Sequence, residues 1–180
     1  MLLAAQACAL LVVDLQARLV PVLEAPEDLI SRCRIVLQAA ARLDVPVLAT
    51  EQYPKGLGHL VLPIRSLIAP ERVVPKIAFS AMRDPEPAER ISQLGRDTIV
   101  VIGAEAHVCV LQTVIDLLAR GRKVAVVADG VGTRRALDKE VGLGRMARAG
   151  AQIVTTDMVV FEWMERAGTE IFRELIPLLR

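Results

Sequence analysis

The chain has 180 residues, with 22 basic and 21 acidic side chains, a net charge of +1 and a hydrophobic fraction of 53%. This length suits one domain over residues 1–180 with a substantial core, and the composition excludes disorder. The charge is balanced, with no basic patch, and the aromatic set is one Trp, one Tyr and three Phe. Nucleic-acid and membrane partners are therefore not expected.

The apolar start, Met1 to Val13, lacks a basic n-region and runs into Asp14 without a cleavage site, so it reads as the first strand rather than a signal peptide. No other segment reaches the roughly 20 apolar residues of a membrane span. Cys8, Cys33 and Cys109 lack metal-ligand spacing, and their odd number fits a reducing compartment. A cytoplasmic protein is expected.

In chain order, Ala9 to Val13 form an apolar strand ending on Asp14, followed by a loop holding Pro21 and Pro26. Leu29, Cys33, Val36, Leu37, Ala40 and Leu43 then mark one face of a helix running to about Asp44. Val45 to Ala49 give a second strand, and the Pro and two Gly of residues 50–59 predict a loop. Arg72 to Pro75, running into Lys76, reads as the third strand, and a helix follows over Ala88 to Leu94.

Ile99 to Ile102 are an unbroken apolar run, the pattern of a strand buried on both faces. Gly103 breaks it and permits a tight turn. Val110, Val114, Leu117 and Leu118 then recur at helical spacing until Gly121. This places Cys109 at or near a first helical turn, where free N–H groups and the helix dipole favour an anion and lower a thiol pKa. Lys123 to Ala128 form a fifth strand, Arg135 to Ala149 a helix, and Gln152 to Val154 a sixth strand. A mixed apolar stretch, Met158 to Met164, and a helix from Glu170 to Leu179 close the chain. Strands alternating with helices predict a three-layer α/β/α fold around a six-stranded, mostly parallel sheet.

In such a sheet, ligands bind beyond the carboxyl ends of the strands where the strand order reverses. Asp14, Lys76 and Cys109 all fall at strand ends or just beyond one. Each has a bland reading alone: a turn cap, a solvated charge and a small buried hydrophobe. Their shared placement at one sheet edge is what suggests chemistry, although spacing alone does not show that they meet.

The ordered set of pieces resembles the isochorismatase-like cysteine hydrolases, the superfamily that includes nicotinamidases. The pattern is most like that of isochorismatase domain-containing proteins. The pieces that match are Leu11 to Gln16, Thr50 to Gly58, Pro75 to Ser80, Gly103 to Val110, Leu117 to Gly121, Val127 to Gly130 and Arg145 to Ala151. The resemblance implies an Asp14–Lys76–Cys109 triad that cleaves a small amide or related acyl compound through a thioester. It also implies backbone oxyanion donors at Glu105 and Cys109, and a cis Ala104–Glu105 bond. Lys76 and the helix dipole would stabilise the thiolate, so its pKa is expected below the free value of about 8.5, with Asp14 as general base.

Nicotinamidases carry an Asp-x-His metal motif after the second strand. Here Gln52 and Pro54 occupy those positions, so no metal and no cofactor are expected, and His59 reads as a loop residue. Gln52, Tyr53 and Phe79 are candidate pocket-lining residues, with structural roles as the alternative. His107 suggests a Cys–His pair, but residues two apart near a helix start do not face each other. Arg134 and Arg135, near a helix start, read as a solvated pair, with binding of an anionic substrate as the alternative. Phe161 and Trp163 are either core or a subunit contact, and the resemblance favours a homo-oligomer.

Three rival readings remain at this level. Isochorismatase-type vinyl-ether hydrolysis does not need a thiol nucleophile. A non-catalytic binding or scaffold protein would keep the pocket without turnover. A thiol redox protein lacks a resolving cysteine near Cys109.

Overall fold

The computed structural model describes residues 2–179. Its sheet has six strands: β1 (Cys8–Val13), β2 (Val47–Gln52), β3 (Val73–Lys76), β4 (Thr98–Ala104), β5 (Lys123–Gly132) and β6 (Gln152–Val154). Their order is β3-β2-β1-β4-β5-β6 and every pairing is parallel. The order reverses between β1 and β4, which is where a ligand crevice opens in such sheets.

β1 and β4 are buried along their whole length. Cys8, Leu10 and Val12 alternate with Ala9, Leu11 and Val13, so each strand feeds two cores with a period of two. On one face, α1 (Pro26–Arg42), α7 (Thr156–Met164) and α8 (Glu170–Leu175) contribute Cys33, Val36, Val160, Trp163 and Leu175. On the other, α4 (Pro85–Ser92), α5 (Leu111–Ala119) and α6 (Ala136–Arg148) contribute Ile91, Val114, Leu117 and Met146. Full burial of such a side chain stabilises by roughly 1.5–3 kcal/mol, so the two-sided sheet is the rigid frame on which the loops sit.

Several boundaries differ from the sequence reading. The first helix starts at Pro26 rather than Leu29, because proline is tolerated in a first helical turn. β2 continues past Ala49 through Thr50, Glu51 and Gln52, polar residues buried by contacts at the sheet edge. The loop after it contains two short helices, α2 (Pro54–Leu57) and α3 (Leu62–Arg65). β5 runs on past Asp129 and Gly130, with a register shift against β4 between Val101 and Gly103. Met158 to Met164 lie in α7, where Trp163 is core and Phe161 is exposed.

Gly103 is not a turn residue but the penultimate residue of β4. Its φ is +127°, and a Cβ there would collide with the Val13 backbone. Glycine is required because β1 and β4 approach too closely for any side chain, at the point where the two strands deliver their functional residues. No helix among the described residues is long and apolar enough to cross a membrane.

Candidate active site

Asp14 leaves β1 with a φ of +50°, a left-handed conformation that is rare for a non-glycine residue and clusters at functional sites. Its N–H donates to the Thr50 carbonyl (3.2 Å), and its Oδ1 accepts from Thr50 Oγ1 (2.7 Å). The end of β2 thus fixes the carboxylate. The other oxygen, Oδ2, lies 2.7 Å from Lys76 Nζ, and both side chains are fully buried. That contact lacks the alignment of a hydrogen bond, so Oδ2 keeps a lone pair free to accept a proton.

Lys76 ends β3. Its ammonium donates to Gln52 Oε1 (2.6 Å), to the Phe79 carbonyl (3.0 Å) and to the Ala78 carbonyl (3.3 Å). These three acceptors match its three N–H donors, and Asp14 adds an opposite charge at 2.7 Å. The amino group is held in a fixed position.

Cys109 lies within hydrogen-bonding reach of both Asp14 and Lys76. The fold therefore brings the three sequence-predicted residues together. Cys109 sits in one turn of π-helix, Ala106–Val110, ahead of α5, rather than in a first α-helical turn. Wide turns of this kind recur at functional sites. The Glu105 carbonyl accepts from the N–H groups of both Val108 and Val110 (3.0 and 3.2 Å) and so anchors this turn. The Ala104–Glu105 peptide bond preceding it is cis.

The expected depression of the thiol pKa is not what the surroundings produce. Burial pushes the Cys109 thiol up to about 12, and the nearby Asp14 charge adds to that rise. Lys76 pulls it down but by less than the other two together. The resting group is a protonated thiol beside a carboxylate and a fixed cation. The cost of removing a thiolate from water outweighs the cation and the helix end.

Gln52 is turned inward. Its amide donates to the Ile77 carbonyl (2.7 Å) while its oxygen holds Lys76. Its backbone is clamped in turn by Gln16, whose Oε1 accepts from Gln52 N–H (2.7 Å) and whose Nε2 donates to the Gln52 carbonyl (3.0 Å). Thr50 and Gln16 went unnoticed as supports in the sequence; their burial beside Asp14 was the missing signal. Tyr53 and Phe79 are about half exposed, at 52% and 53%.

His59 bonds with the buried Glu51 (2.9 Å), and no group of three or more His, Cys, Asp or Glu residues among those described is arranged to hold a metal. His107 has its Nε2 3.9 Å from Asp138, while its buried Nδ1 has no hydrogen-bond partner. Arg134 is exposed, as the solvated reading expects, but it is also ion-paired with Glu105. A cavity of about 560 Å³ opens elsewhere, between α1 and the end of β5, lined by residues such as Asp28, Arg32, Asp129 and Lys139. None of Asp14, Lys76 and Cys109 lines it.

A six-stranded parallel sheet with helices on both faces makes this a three-layer α/β protein of the isochorismatase fold. The chain belongs to the isochorismatase family, whose domain matches residues 8–158. It is 36% identical over 168 residues to isochorismatase domain-containing protein 1 of Salmo salar, matching 93% of this chain and 59% of that protein. The chain thus spans less than two thirds of that relative. Among solved structures it resembles the MAR1 ribonuclease from Caenorhabditis elegans, with a TM-score of 0.91, 33% identity and coverage of 99% of this chain and 92% of that one. The Escherichia coli YcaC gene product, described as an octameric hydrolase of unknown specificity, shares the fold. Its TM-score is 0.90 at 22% identity, covering 99% of this chain and 87% of that chain.

Proposed function

We propose that the protein is a metal-independent cysteine hydrolase that cleaves a small amide or related acyl compound through a thioester at Cys109. The observation that carries this reading is the convergence of a buried thiol on the Asp14 carboxylate and the Lys76 ammonium, with Asp14 Oδ2 2.7 Å from Nζ. A thiol held near 12 does not wait as a thiolate. It loses its proton as it attacks, because its negative charge passes at once to the substrate oxygen.

In this mechanism Cys109 Sγ bonds to the acyl carbon while its proton moves to Asp14 Oδ2. The carbonyl π electrons move onto oxygen, where the backbone N–H groups of Glu105 and Cys109 receive the charge, a contribution of about 3–4 kcal/mol per donor in comparable sites. Collapse breaks the carbon–nitrogen bond, and Asp14 returns the proton to the leaving amine. Water then attacks the thioester and gives one proton to Asp14; the carbon–sulfur bond breaks, Asp14 returns that proton to sulfur, and the acid leaves with the thiol restored. Lys76 keeps its proton throughout and compensates charge on Sγ and Asp14.

Tyr53 and Phe79 form the rim that meets the substrate, while Gln52 acts by holding Lys76. Gln52 and Pro54 offer none of the side chains that an Asp-x-His centre would supply. The enzyme acts in the cytoplasm, and exposed apolar residues such as Leu137, Val141 and Phe161 supply surface for a homo-oligomer. A screen of small amides, ureides and hydroxamates for amine or ammonia release tests the activity, beside Cys109→Ala and with a chelator present. Release that depends on Cys109 and survives chelation is expected. Release that Cys109→Ala retains, or that stops with the chelator and returns with one metal, contradicts the proposal.

A further inference from the structure

We propose that the Glu105–Arg134 ion pair is a positioning device for the oxyanion hole, an inference that rests on the hydrolase reading above. Glu105 is nearly buried, with a side chain 9% exposed, whereas the Arg134 side chain is 58% exposed. Arg134 Nε donates to Oε2 (2.9 Å) and Nη2 to Oε1 (3.1 Å), a two-pronged fork on one carboxylate. The Arg134 backbone N–H adds a third donor to Oε2 (3.3 Å). An exposed pair would contribute little, but here one arginine satisfies an acid that the fold has already removed from water.

The position of the acid gives the pair its purpose. Glu105 follows β4 directly, its carbonyl starts the turn that carries Cys109, and its own N–H is a proposed oxyanion donor. Gripping the side chain restrains rotation of this residue and so aims the N–H. The fork also neutralises a buried negative charge that would otherwise oppose an anion forming on the substrate oxygen. The arginine comes from the segment between β5 and α6, and Gly132 of β5 pairs with Ala104 of β4. α6 in turn lies against the Cys109 turn through Gly142, where a Cβ would stand 3.3 Å from the Ala106 carbonyl oxygen and from His107 Cα. The clamp therefore ties the strand that delivers the donors to the helix that backs the nucleophile.

Two reactions of one sulfur separate this role from a merely structural one. Acylation of Cys109 by p-nitrophenyl acetate passes through a tetrahedral oxyanion; alkylation by iodoacetamide displaces iodide and forms none. The largest influences on the Cys109 thiol are burial, Asp14 and Lys76, so alkylation should depend little on Glu105 or Arg134. Both rates would be measured at pH 9, with the adduct assigned to Cys109 by peptide mass, for the wild type, Arg134→Ala, Arg134→Lys and Glu105→Gln. Arg134→Ala is expected to slow acylation ~10–100-fold, below the loss from deleting a donor outright. Alkylation should stay within about twofold, and Arg134→Lys should recover part of the acylation rate. Equal loss of both rates in Arg134→Ala and Arg134→Lys, or acylation that keeps pace in Arg134→Ala, overturns the positioning role. A wild type that is alkylated but never acylated instead sinks the hydrolase reading, and the clamp's role with it.

Discussion

Cys109 and Cys33 make an instructive pair. Both are buried free thiols, and each lies near an aspartate and a lysine: Asp14 and Lys76 for one, Asp129 and Lys139 for the other. Burial raises both thiols, and the neighbouring aspartate raises both further. What differs is how the neighbours are occupied. Cys33 Sγ donates to the Gly130 carbonyl (3.2 Å), and Asp129 Oδ1 is taken by the N–H and hydroxyl of Thr156, which it anchors at the start of α7. Asp129 Oδ2 faces Arg32 (3.8 Å). Around Cys109, by contrast, Asp14 Oδ2 is left without an aligned hydrogen bond and Lys76 is pinned against it. A perturbed thiol does not mark a nucleophile; a carboxylate and an ammonium that both act directly on the sulfur, as at Cys109 but not at Cys33, do.

The comparison breaks most visibly in turnover. Cys109→Ala is expected to lower kcat/KM about 10³-fold or more, the scale of losing a covalent nucleophile. Cys33→Ala should leave it within about twofold, since that sulfur is only packing and one weak hydrogen bond. Steady-state kinetics on the amide found by the screen would show both.

Stability should separate the two ion-pair environments next. Asp14→Asn or Lys76→Met leaves a fully buried charge unpaired, at a cost of about 3–5 kcal/mol each. The double variant removes both charges and should be less destabilised than the sum, by roughly 1–3 kcal/mol of coupling. Asp129 and Lys139 have no such direct contact, so the corresponding cycle should couple by under about 0.5 kcal/mol. Urea unfolding of the variants measures both cycles.

Proton affinity sharpens the contrast further. With its pKa raised to about 12, wild-type Cys109 should show an alkylation rate that climbs about tenfold per pH unit through the neutral and mildly alkaline range, because only the thiolate reacts. Asp14→Asn removes a raising charge and should speed alkylation at fixed pH; Lys76→Met removes the lowering one and should slow it. Cys33 should stay unalkylated throughout while the chain is folded. The same shift carries a stability consequence. A thiol whose folded pKa is raised contributes fully below its ordinary value and loses that contribution as pH climbs toward about 12. Alkaline unfolding curves should therefore flatten in Cys109→Ala relative to the wild type.

The smallest expected effect belongs to Gln52. Gln52→Leu removes one acceptor from Lys76 but leaves Asp14 and two carbonyls, so a loss of about tenfold in kcat is expected, equivalent to one hydrogen bond to a charged group. A change confined to KM would instead place Gln52 against substrate.

The sequence made the frame legible because apolar runs and helical spacing are local signals. The runs at Ala9–Val13 and Ile99–Ile102 and the periodic face of α1 lie within the elements observed. What was not legible depends on long-range contacts. Nothing local distinguishes Arg134 from the solvated Arg135, since its partner lies 29 residues away. Thr50 and Gln16 look like ordinary loop polarity until β2 is seen to extend beside Asp14. Gly103 reads as a turn because its true reason, the approach of the Val13 backbone, lies in another strand. The direction of the Cys109 shift was missed for the same cause: burial is a property of the assembled fold.

The most direct test is to catch the acyl group on the sulfur. Mixing the protein with excess p-nitrophenyl acetate and quenching in acid should give, by intact and peptide mass, a single acetyl adduct on the peptide holding Cys109. Hydroxylamine should remove it. The adduct should be absent from Cys109→Ala and strongly slowed in Asp14→Asn, although the thiol of that variant is the more easily alkylated. An adduct on Cys33 or on a lysine, or one that forms on Cys109 as fast without Asp14 as with it, would contradict a thiol that is deprotonated by Asp14 as it attacks.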